Sequence, residues 1–182
     1  MKVSVLGAGA WGSSLAKLLH ESGNEVTLWA HNSKRLAKLA KTGISQPYLS
    51  GVQLPTDWNT EPNLEKAAAK AEVLVIAVAS KAFRTVTAHL SSFDRLAVTC
   101  TKGIEFDTGF TMSSILEQTM PKAKIAAMSG PTLALEVANG VPAAIVAASK
   151  NEETATAVQT LFHRPAFRVY TSDDVYGVEM GG

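Results

Sequence analysis

This sequence predicts a doubly wound α/β fold, with helices on both faces of a mostly parallel sheet of about seven or eight strands. Three observations carry that prediction. Short apolar runs alternate with helix-patterned segments along the whole chain. The first run, Val3-Ser4-Val5-Leu6, opens directly into Gly7-Ala8-Gly9-Ala10-Trp11-Gly12 and then an apolar-striped segment. The run Val73-Leu74-Val75-Ile76-Ala77-Val78 is apolar throughout, as befits a central strand covered on both faces.

The elements follow in order. Residues 2–6 read as a strand, 11–22 as a helix and 26–29 as the second strand, with Ser22-Gly23-Asn24 as the turn between the last two. Residues 33–41 form a basic helix. Residues 42–62 lack periodicity and hold Pro47, Gly51, Pro55 and Pro62, which predicts a long loop with one short strand in it. Helices are predicted over 63–70, 80–90, 110–119, 132–138 and 151–161, and strands over 73–78, 96–99, 125–128, 144–148 and 167–170. Met112, Ile115, Leu116 and Met120 are spaced for burial on one helical face. Crossovers between parallel strands are right-handed, and the last strands can run antiparallel as an edge variation. Asp173-Asp174 caps a final helix that starts at Val175, so 1–172 reads as one domain and 173–182 as the start of a helix leading onward.

The first corner specifies chemistry. G-x-G-x-x-G between a strand and a helix is the Rossmann-type phosphate cradle. Gly7 permits the tight turn, Gly9 lets the backbone approach a pyrophosphate, and Gly12 lets the helix pack closely on the sheet. The free N–H groups of the first helical turn then face the anion. Trp11 either shields a cofactor or packs on the loop.

Bulk properties narrow the class. The 182 residues are 46% hydrophobic and 18% charged with a net charge of +1, so no global basicity favours nucleic acid. No run approaches the roughly 20 apolar residues needed to span a bilayer. Three glycines interrupt the apolar N-terminus, and Lys17, His20 and Glu21 follow it, so it reads as part of the mature fold and not as a signal peptide. The single cysteine, Cys100, excludes an intrachain disulfide and is expected to be buried and inert, in keeping with a cytoplasmic location. His20, His89 and His163 have no metal-ligand spacing and read as surface residues. No Ser-His-Asp or Cys-His arrangement and no G-x-x-x-x-G-K-[ST] is present.

Three further segments sit at predicted strand ends, where open α/β sheets form their binding crevice. After the second strand comes Ala30-His31-Asn32-Ser33-Lys34-Arg35, without the carboxylate that holds ribose hydroxyls in NAD binders. His31, Ser33, Lys34 and Arg35 can accept a 2′-phosphate, which favours NADP or dual NADP and NAD use over NAD alone. In Thr101-Lys102-Gly103-Ile104-Glu105, Lys102 can hold a phosphate or carbonyl oxygen, while Glu105 caps or pairs locally without a functional role. Ser129-Gly130-Pro131-Thr132 is a second candidate cradle, with Pro131 suited to a first helical turn and Thr132 able to hydrogen-bond.

In order along the chain, the glycine corner, Leu28-Trp29-Ala30-His31, Tyr48-Leu49-Ser50-Gly51-Val52 with Leu54-Pro55, Thr101 to Glu105, Ser129 to Thr132 with Ala134 and Glu136, Phe167 to Thr171, and Asp174 to Glu179 with Gly181-Gly182 resemble the NAD(P)-dependent glycerol-3-phosphate dehydrogenase family. Ser50 departs from the family's usual proline, as do Ala79 in Val78-Ala79-Ser80 and Ala143 from the usual threonine. The resemblance implies reversible hydride transfer between sn-glycerol 3-phosphate and dihydroxyacetone phosphate, for glycerophospholipid synthesis. It implies that Ala10, Trp11 and His31 contact the dinucleotide, that Lys102 contacts cofactor and substrate, and that Gly130, Thr132 and Ala134 line the bound ligands. It also implies a general-base lysine just beyond Gly182, followed by a helical substrate domain, and a homodimer for the longer protein. Alcohol oxidation needs a base for the hydroxyl proton. These 182 residues are therefore expected to bind cofactor, to turn over little, and to self-associate through apolar surface left for the second domain. A related dehydrogenase of the 6-phosphogluconate or hydroxyacyl-CoA type, and a stand-alone dinucleotide-binding module, are the alternative readings.

Overall fold

The unbroken apolar run from Val73 to Val78 suits a strand covered on both faces, and the centre of this molecule is built accordingly. A computed structural model describes all 182 residues. Its eight strands are β1 (Lys2–Leu6), β2 (Glu25–Trp29), β3 (Asn59–Thr60), β4 (Val73–Ile76), β5 (Leu96–Thr99), β6 (Lys124–Ser129), β7 (Ala143–Ala148) and β8 (Phe167–Ser172). They form one sheet in the order β3-β2-β1-β4-β5-β6-β7-β8. All neighbours pair in parallel except β6 and β7, so β7 and β8 run opposite to the rest, the edge variation that the sequence allowed.

The eight helices are α1 (Ala10–Glu21), α2 (Ser33–Thr42), α3 (Leu64–Ala69), α4 (Ser80–Ala88), α5 (Met112–Thr119), α6 (Ala134–Ala138), α7 (Glu152–Phe162) and α8 (Val175–Met180). Val73 and Val75 of β4 face one core, with Leu15 and Leu19 of α1, Leu36 of α2 and Phe162 of α7. Leu74 and Ile76 face the other, with Ala67 of α3, Phe83 of α4, and Met112, Ile115 and Leu116 of α5. The period-2 alternation of a strand thus feeds two apolar layers, and every residue of β4 is buried.

Several boundaries differ from the sequence expectation, each for a local reason. The apolar run through Val78 stops being strand at Ile76, and Ala77 and Val78, still partly buried, form the turn into α4. The helix predicted from residue 110 starts at Met112, since the Thr111 hydroxyl accepts from Ser114 N and serves as N-cap. The segment 132–138 is helical only from Ala134, because the Thr132 N–H bonds the Gly130 carbonyl (2.8 Å) in a tight turn around Pro131. Pro131 therefore shapes a turn and does not open the helix. The helix starting at residue 11 begins one residue earlier, at Ala10, and the one predicted to residue 90 closes at Ala88. The 42–62 loop holds the short strand β3, as predicted, and buries Leu49, Val52, Leu54 and Trp58. Asp174 caps α8, its carboxylate accepting from Gly177 N at 2.8 Å.

The antiparallel β7 positions the site. A parallel connection must cross the whole sheet, whereas an antiparallel neighbour can start where the previous strand ended. The β6–β7 connection therefore stays at the carboxyl end of β6, and α6 lies on that rim beside α1. No helix is long and apolar enough to cross a membrane. Leu74→Ala should cost about 2–5 kcal/mol, since it removes a fully buried side chain from the sheet centre. Urea unfolding read by circular dichroism checks this.

Candidate dinucleotide-binding cleft

The strand order reverses between β1 and β4, and the chain makes its tightest approach there. Gly7 has φ +119°, a conformation that favours glycine, and a Cβ on it would come within 2.5 Å of Ala77 O. A Cβ on Gly12 would run into the carbonyl of Gly7. Both positions thus need a bare backbone: Gly7 to lie on the end of β4, Gly12 to seat α1 on the turn. Gly7 N donates to Trp29 O (2.9 Å) and Ala77 N to Leu6 O (2.8 Å), which locks the corner to both neighbouring strands.

Gly9 is the N-cap of α1 and supplies no capping side chain, and the first turn of α1 carries no acidic residue. The N–H groups of Ala10, Trp11 and Gly12 lie ahead of the first intrahelical carbonyl. They form a positive end unshielded by side chains. A Cβ on Gly9 would meet nothing within 4 Å, so that side of the corner is open to an incoming group. Trp11 packs partly against the core, and its buried Nε1 has no hydrogen-bond partner in the protein. A buried donor left without an acceptor is costly, and the Ser13 hydroxyl and Trp58 Nε1 are in the same condition.

Gly9, Ala10 and Trp11 form one wall of a cleft of about 480 Å³. The opposite wall comprises the turn 77–80, Thr101 and Lys102, and the segment 132–134. Lys102 is exposed, and its ammonium donates to Gly130 O at 2.8 Å. Thr132 is buried, its N–H also bonded to Gly130 O. The Ser14 hydroxyl lies 2.7 Å from Ala134 O and ties α1 to α6 across the floor. Cys100 lines the same cleft, buried, and its burial pushes the thiol far above its usual range.

The structure therefore brings together Gly9, Ala10, Trp11, Lys102, Thr132 and Ala134, with Gly7 and Gly12 as the support beneath and Gly130 holding Lys102. His31 and Lys34 stand apart from this cleft, exposed beyond the carboxyl end of β2. Asn32 caps α2 there, its Oδ1 accepting from Arg35 N (3.0 Å). Arg35 leans on Tyr48, with Nη1 2.7 Å from the phenol oxygen and the guanidinium 4.8 Å from the ring centroid. His20 is not the surface residue expected: it is half-buried edge-on to Trp58, with Nε2 3.1 Å from Asp57. No group of three or more His, Cys, Asp and Glu side chains could hold a metal ion.

Sequence reasoning missed the role of Ser14, which comes from a contact distant in sequence, whereas Val78-Ala79-Ser80, singled out through the family resemblance, does line the cleft. Glu105, expected to cap or pair locally, does pair, with a partner the sequence did not indicate: its carboxylate receives a two-pronged Arg84 guanidinium, at 2.8 and 2.7 Å, and the Thr108 hydroxyl at 2.6 Å. The Arg84 hydrogen bonds, then that of Thr108, hold its pKa down at about 2, against an ordinary 4.5. A carboxyl lowered by folding stabilises the fold above its unfolded pKa and loses that contribution as pH falls toward the folded one. Because the pair is partly exposed and screened by solvent, wild type should exceed Glu105→Gln in urea midpoint only slightly at pH 6, with that small gap closing between pH 4.5 and 2. A gap independent of pH would contradict the assignment.

Comparison with known proteins adds to the geometry. A family model described as the NAD-dependent glycerol-3-phosphate dehydrogenase N-terminus matches residues 2–155. A glycerol-3-phosphate dehydrogenase (NAD(P)+) from Geobacter metallireducens is 42% identical over 187 aligned positions, covering 100% of this chain and 56% of that protein. One from Fusobacterium nucleatum is 38% identical with the same coverage. A crystal structure of glycerol-3-phosphate dehydrogenase from Coxiella burnetii superposes with a TM-score of 0.91 at 28% identity, covering 98% of this chain and 56% of that one. The chain thus spans about half the length of the curated relatives it matches.

Proposed function

This chain belongs to the NAD-dependent glycerol-3-phosphate dehydrogenase family through its N-terminal domain, and we propose that it is the cofactor-binding half of an enzyme that moves hydride between sn-glycerol 3-phosphate and dihydroxyacetone phosphate. The observation that carries this reading is one cleft with two kinds of wall. On one side stands an uncapped helix end on a bare glycine corner; on the other, a lysine ammonium and the 130–134 rim. The first suits a pyrophosphate, the second an oxygen-rich substrate beside it. Family membership favours this reading over the other dehydrogenase types and over a stand-alone dinucleotide module.

When bound, the nicotinamide supplies the hydride acceptor or donor. The residues of this chain bind and orient. The N–H groups of Ala10, Trp11 and Gly12 hold the paired phosphates, and the Trp11 side chain helps to line that wall of the cleft. Lys102, already aimed across the cleft at Gly130 O, offers its remaining donors to cofactor and substrate oxygens. Thr132 and Ala134 line the ligands from the far rim. His31 and Lys34, outside the cleft, lie where the adenosine ribose of a dinucleotide would end, and their lack of an acidic neighbour in 30–35 supports NADP as well as NAD.

The reading leaves proton transfer to a general base after Gly182, in a helical domain that would cover the apolar rim formed by Ile104, Phe106, Leu133, Tyr176 and Met180. The 182 residues therefore bind cofactor and turn over little, and residues 1–172 serve as the cofactor domain with α8 leading onward. A cytoplasmic location fits the single buried thiol.

Titration with NADPH, read by nucleotide fluorescence, should give saturable binding by these residues; a linear, unsaturable signal would overturn the assignment. In the same titration Lys34→Glu should weaken NADPH roughly tenfold through repulsion of the 2′-phosphate and leave NADH nearly unchanged. Equal losses for the two nucleotides would rule out a 2′-phosphate contact.

A further inference from the structure

Between Thr101 and Phe110, the connection from β5 to α5 buries no apolar side chain. Ile104, Phe106 and Phe110 all face solvent, Phe106 almost completely. The chain nevertheless makes a defined turn there. Ile104 bridges Thr111, Glu105 N donates to Phe110 O (2.9 Å), and Gly109 N donates to Glu105 O (2.8 Å). The side-chain anchor is polar. Arg84 of α4 donates from Nε and Nη2 to the two oxygens of Glu105, and from Nη1 to Gln118 Oε1 of α5 at 2.8 Å. Thr108 closes the ring from within the turn. The planar guanidinium thus joins α4, α5 and the loop at once, a geometry that lysine cannot reproduce.

The helices do not need this network to stay in place, since Phe83, Met112 and Ile115 already bury them against the sheet. A half-exposed ion pair also adds little to global stability. The network instead fixes the loop. Lys102 lies three residues before Glu105, and Arg84 lies one helical turn after Ser80, which lines the facing wall of the cleft. The Thr101 hydroxyl, donating to Val78 O at 2.8 Å, ties the start of the loop to the 77–80 turn, and the Arg84–Glu105 pair ties its far side to α4, so that Lys102 lies between two anchors.

We propose that Arg84 and Glu105 are positioning residues, which hold Lys102 in place across the cleft before any ligand arrives, so that binding does not have to order the loop. The ligand side of this claim rests on the cofactor reading given above; the loop side does not.

The test uses this chain with Glu105→Gln and, as a change confined to a partly exposed helical side chain, Arg84→Lys. Two quantities are read: the rate of Lys102 acetylation by an amine-reactive reagent, relative to Lys70 and Lys122 in mass spectrometry, and the dissociation constant for NADPH. Both variants should raise relative Lys102 labelling several-fold and weaken NADPH roughly five- to tenfold, with little change in thermal midpoint. Unchanged relative labelling, or labelling that rises equally at all lysines as the protein loosens, would overturn the proposal. Increased Lys102 labelling in a chain whose wild type never binds NADPH would support the clamp and remove the cofactor reading.

Discussion

The structure depends on one close approach of backbone to backbone. Where β1 ends, the chain lies on the end of β4 with no side chain between them, and α1 then turns back over the same carbonyl. A methyl group at either Gly7 or Gly12 would separate these segments. The reversal of strand order at this point would still leave a gap in the sheet edge, but α1 would not aim its N-terminal amides into it. The direction of α1 in turn fixes the Ser14 contact to Ala134, and so the closeness of the two walls. Van der Waals exclusion at two positions thereby decides where charge can be bound.

The second constraint is topological. Because β7 pairs antiparallel with β6, its connection remains at the carboxyl end of the sheet and delivers Gly130, Thr132 and Ala134 to the rim. Those residues follow the carboxyl end of β6 whichever way β7 runs, but a parallel β7 would have drawn the chain after them across to the opposite end. The Lys102 loop arrives by the ordinary βα route but leaves its apolar residues outside, so hydrogen bonds hold it where packing cannot. The site thus combines a wall held by sterics, a wall held by topology and a wall held by charge.

What the sequence made legible follows the same division. The glycine corner was readable because its glycines fall at fixed spacing between a strand and a helix, even though Gly7's steric partner is the distant Ala77, and β4 because burial on both faces writes an unbroken apolar run. The antiparallel edge was foreseen only as a possibility, since no residue in 143–148 encodes direction. The end of β4 at Ile76 was hidden because Ala77 and Val78 remain apolar in the turn that lines the cleft. The start of α6 was misplaced because Pro131 suits a helix and a tight turn equally, and the Gly130 carbonyl chose the turn. The Arg84–Glu105 pair left no trace, for two charged residues 21 positions apart have no periodicity to betray them. Lys102, Thr132 and Ala134 did converge as strand-end positions should. His31 and Lys34 did not join them, and stand exposed after the carboxyl end of β2.

The most direct measurement is a map of backbone amide shifts by two-dimensional nitrogen–proton NMR as NADPH is added. The account predicts that the largest changes fall at Gly9 to Gly12, with further ones at Lys102, Thr132 and Ala134, and a smaller set near His31. Changes gathered instead at the opposite end of the sheet, in the cavities lined by Met1, Asn24 and Glu152, would contradict it.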